Sequence, residues 1–173
     1  MIAQKRVVGR LSAAALRERW RQMADDPLLR AIPYKLELNE KGSIEVSPAT
    51  PRHALLQSLT ATELRRSLPA GSTFVECPIE TEIGVRVADV AWASRDFLVG
   101  RALDEPFGRA PELCIEVLSS SNTRAEIDER VGAYLAAGAR EVWLVSESGA
   151  IEIIGPEGAR PLSELGVTLT LPR

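Results

Sequence analysis

The feature that most constrains this chain is residues 111–122, a short apolar run with one acid in its middle. Ile115 and Val117 flank Glu116, and the run ends in a Ser/Asn cluster. This pattern is typical of a buried strand that leads into the start of a helix. A carboxylate inside such a strand is costly to bury unless a metal ion or a cation compensates its charge. The run therefore predicts a core strand that carries a charged site.

A second acid has the same kind of setting. Asp89 lies among Val87, Val90 and Ala91 in the predicted strand 85–92. Two carboxylates on adjacent strands repel unless one is protonated or a cation binds both, and Mg²⁺ is commonly held by one or two carboxylates and waters. The alternative is that each acid lies on a solvated face or pairs with an arginine. We interpret Asp89 and Glu116 as partners.

Size and charge narrow the choice of function. The 173 residues favour one domain, and the net charge of −3 argues against a strongly basic DNA-binding surface, although a local basic groove remains compatible with it. The chain shows neither a signal peptide nor an apolar run long enough to span a membrane, so we expect a cytoplasmic protein with no membrane partner. The only lysines are Lys5, Lys35 and Lys41.

Periodicity and capping residues predict the order of the elements. Ser12, Thr50 and Thr123 are predicted N-caps, and Gly138 is a predicted helix end. Predicted helices cover residues 12–25, 51–68 and 122–138, residues 95–110 form a loop, and predicted strands cover 34–38, 43–47, 73–79, 85–92, 112–118, 141–145, 150–154 and 167–171. This order indicates an α/β fold, a mixed sheet flanked by helices, with a right-handed crossover at 112–145.

Further polar residues are candidates for the same site, and each has a structural alternative. Glu37 could serve as a ligand of a metal-bound water, or it could lie on the exposed face of a hairpin strand. Arg130 could face the sheet, or it could pair on the surface with Glu126. His53, at the start of a helix, could be a site residue or only a surface or capping residue. The Ser119–Asn122 cluster could bind an anion, but helix capping also explains it.

Several stretches together resemble a known family. They are Leu36-Glu-Leu, Val46-Ser-Pro-Ala-Thr-Pro-Arg-His53, Val87-Ala-Asp-Val, residues 111–123, and Tyr134-Leu-Ala-Ala-Gly-Ala-Arg-Glu-Val-Trp-Leu-Val. The chain resembles the bacterial family of putative restriction endonucleases within the PD-(D/E)XK nuclease superfamily. The resemblance covers residues 10–155 of an expected single domain, 1–173, and leaves a C-terminal β extension at 156–173.

The resemblance implies a restriction-endonuclease-like fold and a Mg²⁺ or Mn²⁺ site made by Asp89 and Glu116, with the Val117 carbonyl as a further ligand and Ser119 beside the strand acid. It also implies a catalytic lysine from the following helix. This chain has Arg130 at that position, and an arginine cannot accept a proton. An arginine can still contact a phosphate, or it can pair with Glu116 and replace the ion. Lys35, from the neighbouring hairpin, is a candidate substitute for the lysine and an accessory candidate with Ser119 and His53.

Two main hypotheses follow. The first is a Mg²⁺-dependent endonuclease that hydrolyses DNA, in which Asp89 and Glu116 hold the metal, Glu37 assists and Arg130 contacts phosphate. The second is a catalytically impaired nuclease fold that acts as a binding or regulatory protein, which the arginine at position 130 and the net acidity favour. A self-associating structural protein is a third alternative. A homodimer is expected if both DNA strands are cut.

Overall fold

The mixed sheet predicted from the sequence is present. The computed structural model describes residues 9–172, and within them eight strands form one mixed sheet. The strands are β1 (Lys35–Asn39), β2 (Ile44–Ser47), β3 (Gly71–Thr81), β4 (Gly84–Ser94), β5 (Leu113–Val117), β6 (Glu141–Val145), β7 (Ile151–Gly155) and β8 (Gly158–Arg160). The helices are α1 (Ala13–Asp25), α2 (Pro27–Arg30), α3 (Pro51–Ser67), α4 (Arg95–Leu98) and α5 (Arg124–Ala136). The predicted α/β fold class is confirmed.

Strand β4 holds the sheet together because it pairs with three other strands. Along one edge it pairs with β3 from Gly84 to Ser94. Its other edge is shared, since β1 pairs with its first two residues and β5 pairs with residues 90–92. Residues 86–89 therefore lie between the two neighbouring strands. This interval, where the hydrogen-bonded ladder on that edge is interrupted, positions the site described below.

Beyond β5 the sheet continues through a crossover. The strand order is β2-β1-β4-β5-β6-β7-β8, with β3 on the far edge of β4. Strands β5 and β6 are parallel, with α5 between them in the chain, and the other strand pairs are antiparallel. The parallel pairing predicted for residues 112–145 is confirmed, and the right hand of the crossover stays a prediction.

The predicted capping residues start the three long helices. The side chains of Ser12, Thr50 and Thr123 each accept a hydrogen bond from the backbone N–H three residues later. At Thr123 the bond is reciprocal, because the Glu126 side chain accepts from the Thr123 backbone N–H in a capping box. Gly138 follows α5 with a φ of 106°, the left-handed region that glycine adopts at helix ends.

The sheet buries a core on each face. One cluster contains Tyr134 of α5, Phe97, Phe107 and residues of the central strands. The other contains Leu56 and Leu64 of α3 with Trp143 of β6. Helices α3 and α5 therefore approach opposite sides of the sheet, and each can direct side chains to the interval beside β4.

One strand prediction was wrong. Residues 167–171, predicted as an edge strand, have no regular secondary structure, although Val167 and Leu171 are buried against the α3 side of the sheet. Their apolar alternation reflects packing of an irregular segment and not strand pairing. The short elements α2, α4 and β8 were not predicted, because three or four residues carry too little periodicity.

In the described part of the chain, residues 9–172, each helix is either too short or too polar to cross a lipid bilayer. The expectation that the N-terminus carries no signal peptide concerns residues 1–8, which lie outside the described residues.

A buried carboxylate fastens the irregular C-terminal segment to the sheet. Glu141, the first residue of β6, is fully buried. Its carboxylate accepts hydrogen bonds from Trp143 Nε1 at 3.0 Å, from the Ser163 hydroxyl at 2.5 Å and from the Glu164 backbone N–H at 3.0 Å. Two of the three donors belong to the segment that follows β8, so Glu141 determines where that segment lies.

We expect Glu141→Ala to lower the free energy of unfolding by about 2–4 kcal/mol, because buried donors lose a charged acceptor. Equilibrium unfolding in urea measures the change. Glu152→Ala removes an exposed acid from neighbouring β7 and should change the free energy by less than about 0.5 kcal/mol. Equal effects of the two substitutions would contradict the role assigned to Glu141.

Candidate functional site

The residues selected from the sequence line a single cavity. The cavity has a volume of about 1000 Å³ and lies at the interval between β1 and β5 on the edge of β4. All eight candidates are among its lining residues: Lys35, Glu37, His53, Asp89, Glu116, Val117, Ser119 and Arg130. Strands β1, β4 and β5 and helices α3 and α5 therefore each direct at least one candidate to one place.

Asp89 is the most buried of these acids, with a side chain that is 1% exposed. Its Oδ1 atom accepts a hydrogen bond from Lys35 Nζ at 2.7 Å and lies 3.4 Å from His53 Nε2. Its Oδ2 atom accepts the Val117 backbone N–H at 2.8 Å. Burial alone would raise the pKa of Asp89, but Lys35 and His53 outweigh it and hold the pKa well below its usual range. Asp89 is therefore ionised at neutral pH.

Glu116 lies on the adjacent strand β5 and is also buried. Its Oε1 atom accepts a hydrogen bond from the Tyr134 hydroxyl at 2.7 Å and lies 3.5 Å from Arg130 NH1. Its Oε2 atom lies 3.6 Å from Lys35 Nζ. Burial raises the pKa of Glu116 to about 7 although Lys35 and Arg130 act in the opposite direction. The paired acids thus have pKa values shifted in opposite directions.

Lys35 brings the charge that both acids share. It is the first residue of β1, and its side chain is only 12% exposed. Burial would lower the pKa of Lys35, but Glu116, Asp89 and Glu37 together raise it above its usual value, so the ammonium stays charged. The sequence alone presented Lys35 as a substitute cation, and the structure places it between the two acids.

Arg130 faces the sheet, one of the two directions that its position on α5 allowed. Its NH1 and NH2 atoms bind Glu37 Oε1 and Oε2 at 2.6 and 2.8 Å, a bidentate pair. Glu37 Oε1 also accepts the Val87 backbone N–H at 2.6 Å, so this carboxylate joins α5, β1 and β4. The Glu126 carboxylate, the alternative partner of Arg130, instead accepts hydrogen bonds from Thr123.

Helix α3 approaches Asp89 from the opposite side. His53 lies near the Asp89 carboxylate, and the hydrogen bond between them raises the pKa of His53. One turn later, Gln57 Nε2 donates to the Asp89 backbone carbonyl at 2.9 Å and to Glu76 Oε1 at 2.5 Å. Glu76 has a φ of 53°, unusual for a non-glycine residue, at the point of β3 opposite Asp89. Gln57 therefore links α3 to the backbone of β4 at Asp89 and to the Glu76 side chain of β3.

The serine cluster is occupied with its own turn. The Ser119 hydroxyl contacts Ser121 and Asn122, and the Ser119 backbone N–H donates to Asn122 Oδ1 at 2.8 Å. Ser120 donates its backbone N–H to the Glu147 carboxylate at 3.1 Å. The cluster borders the cavity, and its polar groups stabilise the connection between β5 and α5.

The charge of the cavity favours cations. Eight carboxylates line it, and three permanently cationic side chains, Lys35, Arg86 and Arg130, oppose them. A cavity with an excess of one charge concentrates ions of the opposite charge. Within residues 9–172 there is no ready-made cluster of three or more His, Cys, Asp or Glu ligands. Two oxygen ligands completed by water still fit Mg²⁺, which keeps several waters when it binds to proteins.

Three contributors were not identified as site residues in the sequence. Tyr134 was assigned to the apolar stripe of α5, but it lies one turn after Arg130 on the same face, which was an available signal. Gln57 likewise lies one turn after His53 on the same face of α3. Glu76 carried no signal, because its importance comes from its backbone conformation and from its place opposite Asp89.

Comparisons with known proteins agree with this architecture. The chain matches, over residues 21–172, a family described as Uma2, putative restriction endonuclease. Its structure is similar to the crystal structure of a putative nuclease belonging to DUF820 from Anabaena variabilis, with a TM-score of 0.65, 18% identity, and coverage of 79% of this chain and 86% of that chain. At this identity the likeness shows a shared fold. No curated protein matches the chain.

We expect Arg130→Met to lower the free energy of unfolding by about 3–5 kcal/mol, because it leaves the buried Glu37 carboxylate without its bidentate partner. Urea unfolding measures the change. Arg124→Met, which removes a surface arginine paired with Asp128, is the matched control and should cost less than about 1 kcal/mol. If Arg130→Met unfolds like the control, the Glu37 pair has little structural role.

The same pair predicts a pH dependence. Burial would raise the pKa of Glu37, but the hydrogen bonds and charge of Arg130 lower it below its usual value. A depressed pKa contributes stability that is complete above the unfolded value of about 4.3 and is lost as the pH falls through the folded value. The difference in unfolding free energy between wild type and Glu37→Gln should be constant from pH 7 to about pH 5 and shrink toward pH 3. A difference that stays constant to pH 3 would refute this assignment.

Proposed function

Since the chain belongs to the Uma2 family of putative restriction endonucleases, we propose that it is a Mg²⁺-dependent endonuclease, also active with Mn²⁺, that hydrolyses phosphodiester bonds in DNA. The observation that carries the proposal is the convergence of Asp89 and Glu116 on one cation, the Lys35 ammonium. Two carboxylates that meet at one positive charge form a site at which a divalent ion can also bind.

The metal site in this proposal consists of Asp89, Glu116 and the Val117 carbonyl, completed by water and a substrate phosphate. A bound divalent ion lowers the pKa of a coordinated water and neutralises charge on the phosphate. Asp89 is ionised and ready to bind a cation. The pKa of Glu116 is about 7, so part of the Glu116 population is protonated at neutral pH. A divalent ion bound to Glu116 would lower this pKa and shift the residue to its ionised form.

Arg130 and Glu37 have supporting roles in the proposal. Arg130 stays charged at any accessible pH and is 24% exposed, so it can contact a phosphate in the cavity while it remains paired with Glu37. Both Glu37 oxygens already accept hydrogen bonds from the protein. Glu37 therefore assists the reaction indirectly, by holding Arg130 in position. His53, whose Nε2 lies 3.4 Å from Asp89 Oδ1, and Ser119, in the turn at the border of the cavity, are accessory residues.

The wider setting is part of the same proposal. DNA is the substrate that the family description suggests, and the acidic cavity makes its binding depend on cations that screen the phosphates. We propose one domain over residues 1–173 and a cytoplasmic location. We also propose a homodimer, because cutting both DNA strands in one event requires two active sites.

A second candidate function is a nuclease fold that binds without cleaving. It is favoured by a specific observation: Arg130 occupies the position at which the helix lysine is expected and binds Glu37 with both terminal nitrogens. An arginine cannot accept a proton from water. In this reading the acidic cavity holds a cationic group of a partner, and the charged cluster has a structural role.

Plasmid nicking in the presence of Mg²⁺ or Mn²⁺ tests the first function. We expect wild type to nick and Glu116→Ala to be at least about 100-fold slower, because it loses half of the carboxylate pair that holds the cation. Glu152→Ala, on the surface of β7, should match wild type. Nicking that survives Glu116→Ala would refute the site, and a folded wild type that binds Mn²⁺ but never nicks would favour the second function.

A further inference from the structure

We propose that Lys35 and the divalent ion are alternative occupants of one position, so that Lys35 acts as an internal counter-ion that the metal must displace. The inference rests on the proposed metal site and deepens it, because it assigns to one residue of this chain the control of metal affinity. It also separates the roles of the two cations nearest the acids, Lys35 and Arg130.

The argument begins with the oxygens of the two acids. Each acid already uses one oxygen to bind the surrounding protein: Asp89 Oδ2 accepts the Val117 N–H, and Glu116 Oε1 accepts the Tyr134 hydroxyl. The remaining oxygens, Asp89 Oδ1 and Glu116 Oε2, are the ones that face Lys35 Nζ, at 2.7 and 3.6 Å. The oxygens left to bind a metal ion are thus those that now contact the ammonium.

Among the described residues that line the cavity, no other permanent cation is placed to take over this position. Arg130, the nearest alternative, is held by both Glu37 oxygens and approaches Glu116 only at Oε1, the oxygen that Tyr134 also binds. His53 contacts Asp89 Oδ1 from the α3 side at 3.4 Å. Among the permanent cations lining the cavity, Lys35 is the one that contacts both free oxygens, so its removal should have a specific effect on ion binding.

Lysine is suited to this role by its size and flexibility. An ammonium is a compact point charge on a flexible four-carbon stem, whereas a guanidinium is a rigid planar fork. Lys35 lines a cavity of about 1000 Å³, which gives the displaced ammonium a place to move to without leaving β1. Arg130, with its bidentate partner, has no such freedom.

Displacement has a thermodynamic consequence that can be measured. A divalent ion binds the free carboxylate oxygens only if the Lys35 ammonium gives up its interaction with them, so the apparent affinity is reduced by the strength of that interaction. Removing the ammonium should tighten metal binding. A lysine with only a structural or substrate-binding role would leave metal affinity unchanged or weaken it.

The test is Mn²⁺ binding to the full chain, measured by isothermal titration calorimetry at pH 7.5. We expect Lys35→Met to bind Mn²⁺ at least about tenfold more tightly than wild type, since removing a competing charge worth 1.4 kcal/mol changes the affinity tenfold. Lys41→Met, which removes a lysine from the β1–β2 turn, should bind like wild type. Adding Asp89→Asn to Lys35→Met should abolish the binding.

A second measurement uses the unaltered protein and therefore does not depend on a variant that folds. The chain has only three lysines, so acetylation of each can be followed by peptide mass spectrometry. An amine held against two carboxylates and only 12% exposed reacts slowly with the reagent, and its displacement makes it more accessible. Saturating Mn²⁺ should raise the acetylation rate of Lys35 at least about threefold relative to Lys41.

The outcomes separate the inference from the function on which it rests. Binding that depends on Asp89 but is unchanged or weaker in Lys35→Met, or a Lys35 acetylation rate that does not respond to saturating Mn²⁺, overturns the inference and leaves the metal site standing. The absence of Mn²⁺ binding in both wild type and Lys35→Met overturns both. If metal-free Lys35→Met is unfolded, recovery of its fold by Mn²⁺ but not by NaCl of equal ionic strength supports the inference.

Discussion

Burying two carboxylates side by side is unfavourable, and the structure places Asp89 and Glu116 on adjacent buried strands. The compensating groups come from elements that are distant in sequence: a lysine from β1, a histidine from α3, and an arginine and a tyrosine from α5. The charges of the two acids are therefore compensated only when these elements are packed around β4. Without it, the centre of the sheet would contain uncompensated charge.

The backbone of β4 around Asp89 departs from regular strand geometry. Ala88 and Ala91, three residues apart on β4, contact the same core cluster, so the alternation of faces shifts between them. Opposite Asp89, Glu76 adopts a φ of 53°, and Gln57 bonds the Asp89 carbonyl. Asp89 lies at this shift in alternation, and its carboxylate lines the cavity beside Lys35.

Much of this arrangement could be predicted from local patterns. Caps at Ser12, Thr50 and Thr123 located the helices, and acids within apolar strands indicated a paired site at Asp89 and Glu116, whose side chains meet across Lys35. Which cation pairs with which acid depends on tertiary packing, and the periodicity of the sequence carries no information about it. A partial signal existed in β1, because residues two apart share a strand face, and Lys35 stands two residues before Glu37. The segment 167–171 misled the prediction because burial without pairing gives the same alternation.

The two cations nearest the acids differ in a way that their side chains explain. A guanidinium that forms two parallel hydrogen bonds with one carboxylate is held in a defined geometry, as Arg130 is by Glu37, and this pair joins α5 to β1. An ammonium makes no such fork and can exchange partners by rotating its stem. Arg130 on α5 is thus held by two parallel hydrogen bonds, whereas Lys35 on β1 is held by two separate carboxylates at 2.7 and 3.6 Å. In the proposal made above, the fixed charge of Arg130 supports the fold, and the movable charge of Lys35 is the one that a divalent ion displaces.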